Sequence, residues 1–129
     1  MVKGIGIDII EIERVRSSIE TLGDAFLQRV YTEGEIAYCT AKQNRYQHFA
    51  ARFAAKEAVS KALATGWAGD FSWRDTEVIN TPGGQPQVVL HGAMRDRLAA
   101  CRVHLSLSHS ATHVVAVAVI DVASTGNPS

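Results

Sequence analysis

The segment from Phe49 to Leu63, which reads FAARFAAKEAVSKAL, is the feature that most constrains the fold of this chain. It contains six alanines and neither glycine nor proline, and this composition predicts a helix. Because apolar residues cover most of its circumference, the helix should be buried. One carboxylate, Glu57, interrupts this surface, and a charge on a buried helix needs either a partner or a metal ion.

The sequence leaves two interpretations of Glu57 open. Glu57 and Lys61 are four residues apart, so they fit a surface ion pair that stabilises a helix by about 0.3–0.5 kcal/mol. The small side chains of Ala50, Ala54 and Ala58 flank the carboxylate and would let another backbone or a ligand approach closely. This second property favours a functional site.

Length and charge narrow the classes of protein that remain. A chain of 129 residues predicts one domain, which we place at residues 1–122 with a disordered tail at 123–129. Thirteen acids balance thirteen bases, so no net field favours a nucleic acid or an anionic membrane. No apolar run approaches the ~20 residues of a membrane span, and the N-terminal residues lack the apolar core of a signal peptide. The isolated Cys39 and Cys101 predict reduced thiols in a cytoplasmic protein.

A second carboxylate stands out near the start of the chain. Residues 2–10 alternate as a strand, with Ile5, Ile7 and Ile9 on one face and Asp8 on the other. Aspartate is depleted in strands. Asp8 could form a capping box with Glu11 for the helix that follows, or it could be a metal ligand.

The remaining periodicity predicts an α+β chain. Helices are expected at Glu11–Leu22, Ala25–Tyr31, Glu33–Cys39 and Ala93–Cys101, and strands at Thr76–Ile79, Gln87–His91, Val103–Ser108 and Val114–Val122. The turn-rich NTPGGQP joins the first two of these strands as a hairpin. The last strand is apolar on both faces, which predicts a central or covered position in a sheet. Thr32 and Glu35 resemble a helix cap, and the loop 69–73 carries two aromatic residues that we expect to be exposed.

Three histidines cluster near the end of the chain, at positions 104, 109 and 113. Their spacing matches neither HxH nor HExxH, so it does not predict a zinc site. A polar strand face that binds phosphate or a sugar fits His104 better, and exposed histidines without a function are the alternative.

Three blocks together resemble a known family. They are GIGIDIIEIERV at residues 4–15, RFAAKEAVSKAL at 52–63 and HLSLSHS at 104–110. In order and spacing they are similar to the holo-[acyl-carrier-protein] synthases, the small type of 4′-phosphopantetheinyl transferase. The resemblance covers nearly the whole chain.

The resemblance implies a fold and an activity. The fold would be a small antiparallel sheet wrapped around a long central helix, and three copies would associate with each active site at a subunit interface. The enzyme would move the phosphopantetheine arm of coenzyme A to a serine of an acyl carrier protein, with Mg²⁺ as cofactor and adenosine 3′,5′-bisphosphate as the second product.

The resemblance also implies roles for individual residues. Asp8 and Glu57 match the metal ligands, and Lys61 matches a lysine that contacts the pyrophosphate. The positions that match the coenzyme A nucleotide site are Arg52, Ser60, Gly84 to Pro86, His104 and Ser106, with Arg45 as a further phosphate contact. Glu57, directly or through a metal-bound water, is our candidate base for the serine hydroxyl. The chain departs from the family at Ala64-Thr65-Gly66-Trp67, where the family has a segment close to GTG, and at Gln43-Asn44, where it tends to have a basic pair.

The first helix is the surface on which this family receives its acidic carrier protein. Arg14 matches a basic position there, and Arg16 is added because it lies off the apolar stripe. Two other functions are the alternatives. A cyclodiphosphate-synthase-like metal enzyme is disfavoured, because it needs DxH where this chain has Asp8-Ile9-Ile10. The presence of Asp8, Glu57 and Lys61 argues against a coenzyme A or nucleotide-binding module without turnover.

Overall fold

The computed structural model describes residues 1–64 and 69–122 and contains ten helices and strands within those ranges. The strands are β1 (Val2–Glu11), β2 (Thr76–Asn80), β3 (Pro86–Leu90), β4 (Cys101–His109) and β5 (His113–Val122). The helices are α1 (Ile12–Leu22), α2 (Asp24–Val30), α3 (Glu33–Thr40), α4 (Arg45–Leu63) and α5 (Gly92–Arg97). This α+β architecture confirms the predicted fold class.

Two antiparallel sheets surround the long helix α4. One sheet has the strand order β1-β5-β4, so β5 lies at its centre, as its apolar sequence predicted. The other is the hairpin of β2 and β3. Helix α4 packs against the larger sheet and also contacts α1, α3 and β2. Its alanine face is fully buried at Ala50, Ala54 and Ala58, which confirms the predicted burial.

A glycine of β1 allows the strand to touch the helix backbone. A Cβ atom added at Gly6 would lie 1.9 Å from the carbonyl oxygen of Ala58 and 2.7 Å from the backbone nitrogen of Ala62. Only a residue without a side chain tolerates that approach. Because Gly6 and Ala58 bring the two backbones together, the next residue on the same face of β1, Asp8, is directed toward the last turns of α4.

The isoleucines of β1 lie on the opposite face from Gly6. Ile5, Ile7 and Ile9 are 62%, 59% and 63% exposed. Register pairs them with Val119, Val117 and Val115 of β5, which are half-buried on the same face. The chain therefore carries a continuous apolar surface on the side of the sheet that faces away from α4, and we call these six residues the outer apolar face.

Local predictions differ from the structure at several places. Thr32 and Glu35 form the expected capping box of α3, but Glu11 caps α1 without any side-chain hydrogen bond, so the proposed box with Asp8 is wrong. Helix α4 begins four residues earlier than predicted. Helix α5 ends at Arg97, short of the predicted Cys101, which belongs to β4.

The aromatic residues of the loop before β2 are not exposed. Trp73 stacks on Phe53 with ring centroids 5.2 Å apart, and Phe71 meets Trp73 edge-on at 5.3 Å. Both rings are partly buried against the core, so this expectation was wrong. Of the predicted loop 64–67, Ala64 is the C-cap residue of α4, and residues 65–67 lie outside the described residues, as does the tail 123–129. No helix in the described ranges is long and apolar enough to cross a membrane.

Candidate active site

Two carboxylates from distant segments of the chain line one cavity. Asp8 reaches it from β1 and Glu57 from α4. The cavity has a volume of about 310 Å³ and is lined by Asp8, Ile9, Ile10, Arg14, Val15, Ser18, Phe26, Phe53 and Glu57. Its polar part comes from the two carboxylates, Arg14 and Ser18, and the other lining residues are apolar. The close packing of Gly6 on α4 is what places Asp8 there.

Lys61 binds Asp8 rather than Glu57. The Nζ atom of Lys61 lies 3.0 Å from Oδ1 of Asp8 and donates a second hydrogen bond, 3.1 Å long, to the carbonyl oxygen of Ile7. Among the described residues, no ion pair joins Lys61 to Glu57, so the helical pair allowed by their spacing does not form. The lysine instead connects the end of α4 to β1.

The two carboxylates influence each other electrostatically. Partial burial raises the pKa of Glu57 above that of an ordinary glutamate, the Asp8 carboxylate raises it further, and the Lys61 ammonium opposes the shift. The effect of Asp8 means that the two negative charges lie close enough to repel. A cation placed between them would relieve that repulsion.

This donor set fits magnesium better than a transition metal. In the described ranges, no group of three or more histidine, cysteine, aspartate or glutamate residues could hold a metal ion. Mg²⁺ does not require such a group, because it usually takes one or two carboxylates and completes its shell with substrate phosphates and water. Asp8 and Glu57 offer those two carboxylates at an open cavity.

A second set of predicted site residues meets around Arg52. This side chain is only 3% exposed, and its guanidinium lies 4.4 Å from the ring centroid of Tyr38. Its Nη2 atom donates to Oδ1 of Asn80 at 2.8 Å, and Nδ2 of Asn80 donates to the carbonyl oxygen of Gly84 at 3.1 Å. The Nε atom of Arg52 is buried without a hydrogen-bond partner among the described residues.

Asn80 is therefore a residue that sequence analysis missed. It connects α4 to the hairpin turn, where Gly84 has a φ of +87° and Pro86 begins β3. In the sequence, Asn80 was noted only as the first residue of the NTPGGQP segment. That segment predicted a turn and gave no indication of a contact with Arg52.

The other two predicted α4 residues lie at different heights along the helix. Ser60 lines a separate cavity of about 210 Å³ that also includes Phe71 and Arg97. Arg45 is exposed at the first turn of α4, twelve residues before Glu57 and thus about 18 Å away along the axis. A single small ligand group cannot contact both Arg45 and Glu57.

His104 and Ser106 lie on the other face of the sheet from Asp8. They pair with Val119 and Val117 of β5, which belong to the outer apolar face. Asp8 instead pairs with the fully buried Ala116 on the helix side. Nε2 of His104 is 3.7 Å from Oδ2 of Asp121. Within one copy of the chain, these residues cannot join the Asp8 cavity.

The two arginines of α1 differ in their surroundings. Arg14 lines the Asp8 cavity. The guanidinium of Arg16 is held on the helix surface by Glu20 at 3.2 Å and Glu13 at 3.5 Å. Only Arg14 therefore presents its charge at the rim of the site.

Comparisons with known proteins agree with this architecture. The sequence profile of the 4′-phosphopantetheinyl transferase superfamily matches residues 4–118. A holo-[acyl-carrier-protein] synthase of Koribacter versatilis is 47% identical over 124 residues, which cover 94% of this chain and 99% of that protein. The crystal structure of the Neisseria meningitidis synthase superposes with a TM-score of 0.83 at 31% identity, covering 94% of this chain and 99% of that one. The Bacillus anthracis synthase in complex with CoA (3′,5′-ADP) gives 0.77 at 38% identity, covering 95% and 99%.

Proposed function

The chain belongs to the 4′-phosphopantetheinyl transferase superfamily, and on this premise we propose that it is a holo-[acyl-carrier-protein] synthase. It transfers the 4′-phosphopantetheine arm of coenzyme A to a serine of apo acyl carrier protein and releases adenosine 3′,5′-bisphosphate. The observation that carries the proposal is the meeting of Asp8 and Glu57 at one cavity, with Lys61 hydrogen-bonded to Asp8. Crystal complexes of relatives with CoA support coenzyme A as the donor.

Asp8 and Glu57 are the residues that would hold Mg²⁺. When bound, this ion supplies positive charge against the pyrophosphate of coenzyme A. The fit rests on the two repelling carboxylates and on the preference of Mg²⁺ for hard oxygen ligands. Lys61 adds a second positive charge on the same side of the site, where it can bind the pyrophosphate oxygens.

The transfer needs one base. The serine oxygen of the carrier attacks the β-phosphorus of coenzyme A, and the bond from that phosphorus to the bridging oxygen breaks, so adenosine 3′,5′-bisphosphate leaves. Glu57 accepts the serine proton, either directly or through a bound water. Partial burial raises the pKa of Glu57, and this part of the shift makes its carboxylate a better proton acceptor.

We propose that the active enzyme is a homotrimer with a shared site. The outer apolar face supports association, because isoleucines 5, 7 and 9 together with the half-buried valines form a contiguous apolar surface of the kind that marks protein interfaces. The position of His104 and Ser106 on that face supports a site built by two copies. One copy contributes the carboxylates and Lys61, and the neighbouring copy contributes the histidine and the serine to the nucleotide.

We expect the nucleotide of coenzyme A to bind along Arg52 and the hairpin turn. Within the described ranges the Nε atom of the buried Arg52 has no hydrogen-bond partner, and Asn80 links Arg52 to Gly84. We also place the reaction in the cytoplasm, with support from two free cysteines among the described residues, Cys39 and Cys101.

The deciding experiment combines the purified protein with coenzyme A, Mg²⁺ and an apo carrier protein and follows the mass of the carrier. A gain of one phosphopantetheine is the expected result. Asp8→Asn and Glu57→Gln, which preserve shape, should each lower the rate by about 10²-fold or more. Tight binding of coenzyme A without any mass gain would instead identify a binding module, and an active Asp8→Asn enzyme would overturn the metal site.

A further inference from the structure

We propose that Lys61 is the counter-cation of Asp8 in the metal-free enzyme and that it is displaced when metal and coenzyme A bind. The two ligands should then bind cooperatively, because each helps to move the same lysine. This inference rests on the proposed function, since it concerns how the metal site and the pyrophosphate site are connected.

The contacts of Lys61 support the first part of the inference. Its ammonium group is anchored twice, at Oδ1 of Asp8 and at the carbonyl oxygen of Ile7, and both distances are those of good hydrogen bonds. A metal ion that binds Asp8 must take an oxygen that already carries a positive partner 3.0 Å away. Two cations cannot share that position without strong repulsion.

The exposure of the two side chains indicates which of them has more room to move. The side chain of Asp8 is 14% exposed, whereas that of Lys61 is 52% exposed. Asp8 is fixed on β1 by the packing of Gly6 against α4. Lys61 has a flexible four-carbon stem at the end of the helix, so it can leave Asp8 and remain in contact with solvent or with a phosphate.

The balance of charge explains why coenzyme A should help. Asp8 and Glu57 carry two negative charges. Among the described residues, Arg14 borders the cavity that they share, and Lys61 borders a second cavity that also includes Asp8. A metal ion arriving alone must push Lys61 into water. When a pyrophosphate is also present, the lysine gains a new anionic partner, so the release of Asp8 costs less. By reciprocity, the metal should strengthen coenzyme A binding by the same factor.

Titration calorimetry with Mg²⁺, in the absence and presence of coenzyme A, tests the inference without any measurement of turnover. Lys61→Met removes the counter-cation, and we expect Mg²⁺ alone to bind this variant about two- to tenfold more tightly than the wild type. The factor by which coenzyme A enhances Mg²⁺ binding should fall below the wild-type factor, and the part that remains is the contribution of phosphate oxygens to the metal shell. Lys61→Arg keeps the charge and should keep both wild-type values.

Lys42→Met is the matched control. Lys42 is also exposed, but its ammonium lies over the ring of Tyr38 and not at the carboxylates, so the variant has the same change of net charge at a remote place. Its affinity for Mg²⁺ alone should be that of the wild type. If the affinity for Mg²⁺ alone rises equally in Lys42→Met and Lys61→Met, the change in net charge explains the effect. That outcome would overturn the inference.

Two further outcomes separate this inference from the proposed function. If the wild type transfers phosphopantetheine with Mg²⁺ but Lys61→Met binds Mg²⁺ no more tightly, the displacement is wrong and the enzyme assignment stands. If Mg²⁺ binds neither the wild type nor its complex with coenzyme A, both the metal site and the displacement are wrong.

Discussion

Nζ of Lys56 lies 2.7 Å from Oε1 of Glu35, and both side chains are completely excluded from solvent. The lysine also donates to the carbonyl oxygens of Val30 at 2.9 Å and Trp73 at 2.8 Å. The second carboxylate oxygen of Glu35 accepts the backbone N–H of Val78 at 2.8 Å. This buried pair is fully hydrogen-bonded, and it connects α4 to α3, to the end of α2 and to the first sheet residues after the aromatic loop.

Replacing Lys56 by methionine should therefore destabilise the protein severely. The change leaves the Glu35 carboxylate buried without its charge partner, which typically costs about 3–5 kcal/mol. Equilibrium unfolding in urea measures the loss. Lys42→Met removes an exposed lysine that lies over an aromatic ring and should cost about 1 kcal/mol or less. Similar losses in the two variants would mean that the buried pair contributes little.

The capping box that includes Glu35 could be predicted from the sequence, whereas the buried ion pair of Glu35 with Lys56 could not. The spacing of Thr32 and Glu35 predicts a capping box, and the box forms. The same Glu35 carboxylate also accepts from Lys56 and from a strand more than forty residues later. These long-range contacts of Glu35 depend on how α3 and α4 pack against each other. Helical periodicity carries no information about that packing.

Sequence-based prediction of the candidate active site has the same limit, because it does not specify long-range packing. Alternation correctly predicts that His104 and Ser106 share one face of β4 and that Asp8 opposes the isoleucines of β1. Alternation does not predict which face of β4 lies on the same side of the sheet as the isoleucines of β1. That depends on the strand order β1-β5-β4 and on the register of both pairings. The sequence also did not predict the salt bridge from Lys61 to Asp8. The i,i+4 spacing on the helix had already suggested Glu57 as the partner of Lys61.

Cys39 should be unreactive in the folded protein. It is fully buried, and burial raises the pKa of its thiol from the ordinary value of 9.0 to about 12. Because the thiolate is the reactive form, a disulfide reagent at pH 8 should modify the partly exposed Cys101 and reach Cys39 only after unfolding. Time courses on the Cys101→Ser variant, with and without urea, measure this directly. Rapid modification of Cys39 without urea would contradict the buried position.

The raised pKa of Cys39 also has a consequence for stability. The unfolded thiol ionises near pH 9.0, while the folded thiol stays protonated until about pH 12. Between these values the unfolded state binds fewer protons than the folded state, so the free energy of unfolding should fall as the pH rises. Cys39→Ala should lose that part of the slope, whereas Cys101→Ser should keep it. Parallel pH profiles in both variants would remove Cys39 as its source.

Reversing the charge of Arg14 should weaken use of the carrier protein. Arg14 borders the Asp8 cavity, and a charge at such a rim mainly steers the approach of an acidic partner. Arg14→Glu should raise KM for the carrier several-fold, more at low salt than at high salt, with little change in the affinity for coenzyme A. Steady-state kinetics at two ionic strengths and direct coenzyme A titration measure the two effects.

Arg16→Glu is the matched comparison for Arg14. The guanidinium of Arg16 is already paired with Glu13 and Glu20 on the helix surface. The same charge reversal two residues away should therefore change carrier kinetics less than Arg14→Glu does. If the two variants have equal effects, the rim position of Arg14 has no special role and only the total charge of α1 matters.

The proposed shared site, with Asp8 and His104 contributed by different copies, predicts that two inactive variants can restore each other. Glu57→Gln damages the carboxylate side of the site and His104→Ala damages the side on the outer apolar face. In a mixed oligomer, an interface with the carboxylates of the His104→Ala chain and the histidine of the Glu57→Gln chain is intact. Random assembly of equal amounts should produce about a quarter of wild-type transfer activity. Co-expression with two affinity tags provides the mixed enzyme, and carrier mass gain provides the readout.

A second mixture determines whether restoration requires opposite sides of the interface. Glu57→Gln and Asp8→Asn both damage the carboxylate side, so every interface in their mixed oligomers retains a defect and transfer should stay at the level of the separate variants. Restoration in the first mixture alone would require one site to draw on two chains, because no single chain in it carries both Glu57 and His104. If neither mixture is restored although mixed oligomers have been isolated, then each site is built within one copy, and the exposed isoleucines of β1 serve association without completing the site.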